Sequence, residues 1–156
     1  MTQAKTQEKV QEIIKDLKSK YPKFRVTEPR KAILTYMIDT DRHPTAEEIY
    51  QYLKQDFKSI SLATVYNSLH FLVEAGYLYE LTQAGSGTRY DFVGDRHYHM
   101  ICKRCGRVDD FYYHDIHVIN QAAMAQTGYQ IQQTKLELYG LCPQCQQDLA
   151  EQERDA

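Results

Sequence analysis

Four cysteines and two closely spaced histidines carry most of the chemistry legible in this 156-residue chain. The cysteines form two Cys-x-x-Cys pairs, Cys102 with Cys105 and Cys142 with Cys145. Each pair can present two thiolates from a tight turn, and two pairs complete a tetrahedral sulfur site, the donor set of structural Zn2+. Gly106 follows the first pair, where a sulfur-binding knuckle needs a residue free to turn. A disulfide or a redox dithiol would use the same spacing. The N-terminal stretch MTQAKTQEKVQEIIKDLKSK lacks the apolar core of a signal peptide, and no run of about 18 apolar residues suggests a membrane span. A cytoplasmic location is therefore expected, where paired thiols favour metal over a disulfide.

The stretch HYHMIC leads into the first cysteine pair. It reads as a strand, so side chains alternate between faces: His97 and His99 face one way and Cys102 the other. In the following GRVDDFYY, Val108, Asp110 and Tyr112 share one face, and Asp109 and Phe111 share the opposite one. The knuckle turns the chain between the two strands. The hairpin is thus expected to serve two metals, with sulfur at its tip and imidazole and carboxylate on one flank. The alternative is that these histidines are surface or packed residues without a ligand.

The 36 residues between the cysteine pairs need structure of their own. GRVDDFYY is predicted as a strand, DIHVINQAAMAQTG as a helix ending at Gly128, and YQIQQTKLELYG as one or two strands. The front of the chain reads differently. An amphipathic helix places Val10, Ile13, Ile14 and Leu17 on one face. A second helix starts near Thr27, with Pro29 in its first turn and Ile33, Leu34, Met37 and Ile38 on its apolar side. A third opens with a capping box, Thr45 with Glu48, and continues through Ile49, Tyr52 and Leu53. A fourth starts at Ser61, buries Leu62, Val65, Leu69 and Leu72, and stops near Gly76. YLYELTQAGSGTRYDFV then reads as a hairpin.

Short helices followed by a hairpin make a winged helix-turn-helix, whose fourth helix here would enter the DNA major groove. Candidate DNA contacts are Arg25 and Arg30 before and within the second helix, and Ser61, Ala63, Thr64, Tyr66 and Asn67 on the fourth, with His70 on the same face. Asn can pair with adenine, Ala and Thr can touch a thymine methyl, and Tyr can reach phosphate. A helical bundle with a solvated polar face is the alternative. Charge agrees with two tasks: residues 1–90 carry 13 Lys/Arg against 11 Asp/Glu, and residues 91–156 carry 6 against 10. The first 31 residues alone hold 9 basic and 4 acidic side chains.

Through RVTEPR, HPTAEEIY, SLATVYNSL, RYDFV, HYHMIC, CGRVDDF and YGLCPQC, in that order, the chain resembles the Fur (ferric uptake regulator) family of bacterial metalloregulators. Within that family it is most similar to the peroxide-sensing branch, since Asp110 and Asn67 stand where uptake regulators tend to carry Glu and Arg. The resemblance implies an α+β fold: an N-terminal winged helix over 1–89, a hinge at about 84–93, and a C-terminal α/β dimerisation domain with a four-cysteine zinc site over 90–156. It implies a regulatory Fe2+ or Mn2+ held by His43, Asp91, His97, His99 and Asp110, beside a structural Zn2+ on Cys102, Cys105, Cys142 and Cys145. Phe24 departs from the family pattern, where Gly often stands. His114 and His117 are extra histidines expected on a helix surface.

The function implied is a homodimeric repressor of a pseudo-palindromic double-stranded operator. The resemblance further implies that one ion bridges the DNA-binding and sensor domains and that peroxide oxidises His43 or His97. The nearest alternative is an iron-, manganese- or zinc-responsive uptake regulator of the same family. A non-haem iron enzyme is the rival from another class, because two His and a carboxylate also make an oxygenase site. Five protein ligands leave little room for a substrate, so no enzyme is expected.

Overall fold

The computed structural model of the chain describes residues 2–83, 87–94, 97–113 and 115–155. They divide into two compact units, one up to Gly94 and one beyond it. His114, the tip of the hairpin at 84–86 and that part of the expected hinge lie outside the described residues.

The first unit is a winged helix built on local signals. Helix α1 (Gln3–Lys20) buries Val10, Ile13, Ile14 and Leu17, the face that its 3.6-residue period dictates. Helix α2 (Glu28–Asp39) starts behind Thr27, whose hydroxyl accepts a hydrogen bond from the Arg30 amide at 3.4 Å. Helix α3 (Ala46–Leu53) carries the full capping box: the Glu48 amide donates to Thr45 Oγ1 at 3.2 Å, and the Thr45 amide donates to Glu48 Oε2 at 2.8 Å. Helix α4 (Leu62–Glu74) is capped by Ser61, which accepts from the Thr64 amide at 3.1 Å. It ends where Gly76 takes φ +82°, so that the Tyr77 amide reaches Leu72 O and the Gly76 amide reaches Val73 O.

Strands β1 (Leu78–Gln83) and β2 (Gly87–Phe92) then pair antiparallel, Leu78 opposite Phe92. One core joins the four helices to this hairpin, including Ile33, Met37, Ile49, Val65 and Leu69. Each such side chain contributes about 1.5–3 kcal/mol by leaving water. Tyr52 of α3 is 55 % exposed and lies against Tyr36, ring centroids 4.6 Å apart. One expected core position differs. Leu62 is half-buried, since it opens α4 at its exposed end.

The second unit is an α/β layer. Strand β3 (Tyr98–Cys102) lies between β4 (Val108–Phe111), antiparallel to it, and β5 (Glu137–Gly140), parallel to it. Helix α5 (Ile116–Thr127) makes the crossover that a parallel pair requires and stops at Gly128, φ +73°. YQIQQTKLELYG supplies one strand, and a sixth helix, α6 (Pro143–Asp155), follows it. Among the described residues no helix is long and apolar enough to cross a membrane.

Candidate metal centres and nucleic-acid face

The turn between β3 and β4 is a sulfur-binding knuckle. The Gly106 amide donates to Cys102 O at 3.0 Å, and the Cys102 amide donates to Arg107 O at 2.9 Å. Gly106 sits at φ +75°, which a side chain would strain. The second pair spans the start of α6. All four thiols are free, and their sulfurs lie within 4.8 Å of one another. Cys105 Sγ and Cys142 Sγ are 3.8 Å apart. Zinc–sulfur bonds of about 2.3 Å in a tetrahedron would space sulfurs by about 3.8 Å.

The cluster's electrostatics also ask for a cation. Backbone amides at Cys105 and Cys142 pull the Cys102 thiol down to about 6. Burial, followed by the neighbouring sulfurs, pushes Cys145 up to about 12. Four thiolates cannot share this space without a metal in place of their protons. The four cysteines fit a structural Zn2+.

The imidazole and carboxylate donors fall into two halves, each ordered within its own unit. In the first unit, β2 is tied to the loop before α3. The Tyr90 amide donates to Pro44 O at 2.9 Å, Thr45 bridges Arg89, and Arg89 Nη1 donates to His43 O at 2.8 Å. These bonds set His43 Nε2 3.8 Å from Asp91 Oδ2, with both side chains almost buried. In the second unit, His99 pairs directly with Asp110 across β3 and β4. Asp110 Oδ1 lies 3.9 Å from His99 Nε2 and 4.0 Å from His97 Nε2, so one carboxylate faces two imidazoles. The two rings stand edge to face, centroids 5.0 Å apart. Asp109 turns the other way and pairs with Arg107 at 2.8 Å. His117 is an exposed residue of α5. Nitrogen and oxygen donors of this kind fit a regulatory Fe2+ or Mn2+.

On the candidate DNA face, Ser61, Ala63, Tyr66, Asn67 and His70 are exposed, while Thr64 is half-buried and bonded to its cap. Tyr66 donates its hydroxyl to Glu47 Oε1 of α3 at 2.6 Å. Arg25 is exposed. Arg30 folds back, donating to Arg25 O at 2.8 Å with its guanidinium 5.6 Å from the Phe24 ring centroid. Phe24 in turn stacks on Phe71 at 4.8 Å, which gives this departure from the family pattern a packing role. Sequence reasoning missed Glu47 and Arg89. Arg89 lay inside the quoted RYDFV, but its bond to a loop 46 residues earlier had no local signal.

Comparisons with known proteins identify the family. The model of the ferric uptake regulator family matches residues 21–139. The chain is 43 % identical over 123 residues to the peroxide-responsive repressor PerR of Staphylococcus aureus (strain Mu50 / ATCC 700699), covering 79 % of this chain and 83 % of that one. It is 40 % identical to PerR of Streptococcus pyogenes, whose structure matches with a TM-score of 0.51 over 87 % of this chain and 92 % of that one. The ferric uptake regulator of Helicobacter pylori shares the fold, with a TM-score of 0.73 at 23 % identity, covering 89 % of this chain and 93 % of that one. By sequence, by fold and by its two sets of donors, this chain belongs to the ferric uptake regulator family.

Proposed function

We propose that the chain is a dimeric, metal-dependent repressor that binds a pseudo-palindromic DNA operator and releases it on contact with hydrogen peroxide. The observation that carries the reading is the donor geometry: His43 held against Asp91 in one unit, and His97 and His99 sharing Asp110 in the other. Similarity to PerR proteins supports it. In this reading the five side chains hold one ion, and its occupancy biases the placement of the two winged helices of a dimer. A tenfold gain in DNA affinity needs about 1.4 kcal/mol of such coupling. The exposed face of α4 supplies Ala63, Tyr66 and Asn67 for base and phosphate contact. Val118, Ile119 and Met124, exposed on α5, supply an apolar surface suited to a second copy. The cytoplasm keeps the four thiols reduced for zinc.

Ferrous iron held by these side chains would supply the reduction of hydrogen peroxide, which Mn2+ would perform poorly. The side chains that take the damage are His43 and His97. One peroxide oxygen ends on an imidazole ring carbon, and the other leaves as water. An oxidised ring is a poorer donor, so the chain releases its ion and then its DNA. The chain acts as a regulator and not as a catalyst, because its own ligands are consumed.

The test uses protein loaded with Fe2+ or with Mn2+ and a DNA fragment selected by the Mn2+ form. After peroxide, the iron form gains the mass of one oxygen and loses the DNA, while the manganese form keeps its mass and its DNA. An iron form that stays bound and unmodified is a metal-uptake regulator instead. DNA binding indifferent to metal removes the regulator reading.

A further inference from the structure

We propose that Glu137 is a positioning residue for the imidazole of His99, the outer carboxylate that fixes how this ring meets its ion. The inference rests on the reading of His99 as a regulatory ligand. Strand β3 is the middle strand of its sheet, so His99 has a register partner on each side: Asp110 on β4 and Glu137 on β5. Register partners present side chains to the same face. The ring therefore has a carboxylate placed on either flank, while His99 itself is 2 % exposed.

The two carboxylates are not equivalent. Asp110 Oδ1 stands near the Nε2 atoms of both His97 and His99, as a shared ligand must. Glu137 spends one oxygen on a hydrogen bond and keeps the other without one. Its Oε1 is sealed from solvent, with Lys135 Nζ 2.6 Å away, close enough for charge pairing although not aligned as a hydrogen bond. Its Oε2 accepts the Tyr139 hydroxyl. The carboxylate is half-buried, and Lys135, the Tyr139 hydroxyl and its register partner His99 are arranged around it. Metal-binding histidines generally give their second ring nitrogen to such an outer partner, which sets tautomer and orientation.

The experiment uses the full zinc-loaded chain and Mn2+ as the probe. Glu137→Gln keeps the shape and loses the charge. It is expected to weaken Mn2+ binding by about 10-fold or more. Ring nitrogen NMR of His99 without Mn2+ is expected to show one tautomer in the wild type and a mixture in the variant, a change that a purely structural role would not produce. Tyr139→Phe retains the carboxylate and shifts the same signals in the same direction by less, which covers the case where Glu137→Gln folds poorly. Mn2+ affinity within about twofold of wild type, with an unchanged tautomer, overturns the proposal. His99→Ala separates the two levels. If it abolishes Mn2+ binding while Glu137→Gln does not weaken it, only the role of Glu137 falls. If His99→Ala binds Mn2+ normally, the regulatory reading falls, and Glu137 with it.

Discussion

Arg89 Nη1 donates to the backbone carbonyl of His43 at 2.8 Å, so the second strand of the wing grips the loop that presents a candidate ligand. With the bridge from Arg89 to Thr45, this bond holds the His43 ring against Asp91. Arg89→Ala is expected to weaken Mn2+ binding about 10-fold through a misplaced His43, while Asp91→Ala, which deletes a donor, weakens it further. Titration of both variants with Mn2+ checks the order. Equal affinity for Arg89→Ala and wild type would show that the loop stands without the bond.

Tyr66 and Glu47 make a second link, from the candidate reading helix to α3. Glu47 lies below the usual carboxylate range, chiefly because the Tyr66 hydroxyl donates to it, which puts an anion on the candidate DNA face. Glu47→Gln is expected to strengthen DNA binding about threefold at low salt and less at high salt, because it removes a screened repulsion. Tyr66→Phe is expected to weaken binding about 10-fold by losing a phosphate contact. Fluorescence anisotropy across a salt series reads both.

Acid stability offers a check on the first unit alone. Asp16 is held below its ordinary range by the Tyr77 hydroxyl first and by Lys20 second. A carboxyl depressed in the folded state stabilises the fold above its unfolded value, about pH 4, and loses that contribution as pH falls through the depressed value. Asp16→Asn should therefore melt earlier than wild type at neutral pH, and the two melting curves should converge as pH falls below the ordinary carboxylate range. Thermal scans at stepped pH test the convergence.

Zinc removal should act unevenly. The second unit buries few apolar side chains beyond Tyr98, Ile101 and Ile116, and its other buried cluster is Cys102, Cys142 and Cys145. Structural zinc contributes about 10–16 kcal/mol in small zinc-dependent domains. Cys142→Ser is thus expected to lose zinc and unfold β3, β4 and β5 while the winged helix keeps its own melting transition. Calorimetry paired with metal analysis would show one transition lost and one retained.

What could be read from the chain beforehand followed the range of the interactions. Thr27, Thr45, Ser61 and Gly76 mark helix ends through bonds to residues a few positions away, so these ends were legible. The shared face of His97, His99 and Asp110 was legible too, since a period of two and a short knuckle fix it. The parallel pairing of β3 with β5 was not, because 38 positions separate His99 from Glu137 and no local pattern names the partner. Helix α6 was missed for a different reason: its polar sequence shows one buried residue, Cys145, and hence no apolar stripe. Leu62 shows the converse, an expected core position that α4 leaves half-buried.

The long crossover has a consequence for synthesis. Cys102 and Cys105 leave the ribosome before the 36 residues that separate them from Cys142. For that interval the nascent hairpin carries two thiols without their partners and a middle strand with one side unpaired. Loops of this length close slowly and leave edges open to wrong pairing. Availability of zinc at the moment Cys145 emerges would then bear on what fraction of newly made chains closes its second unit correctly.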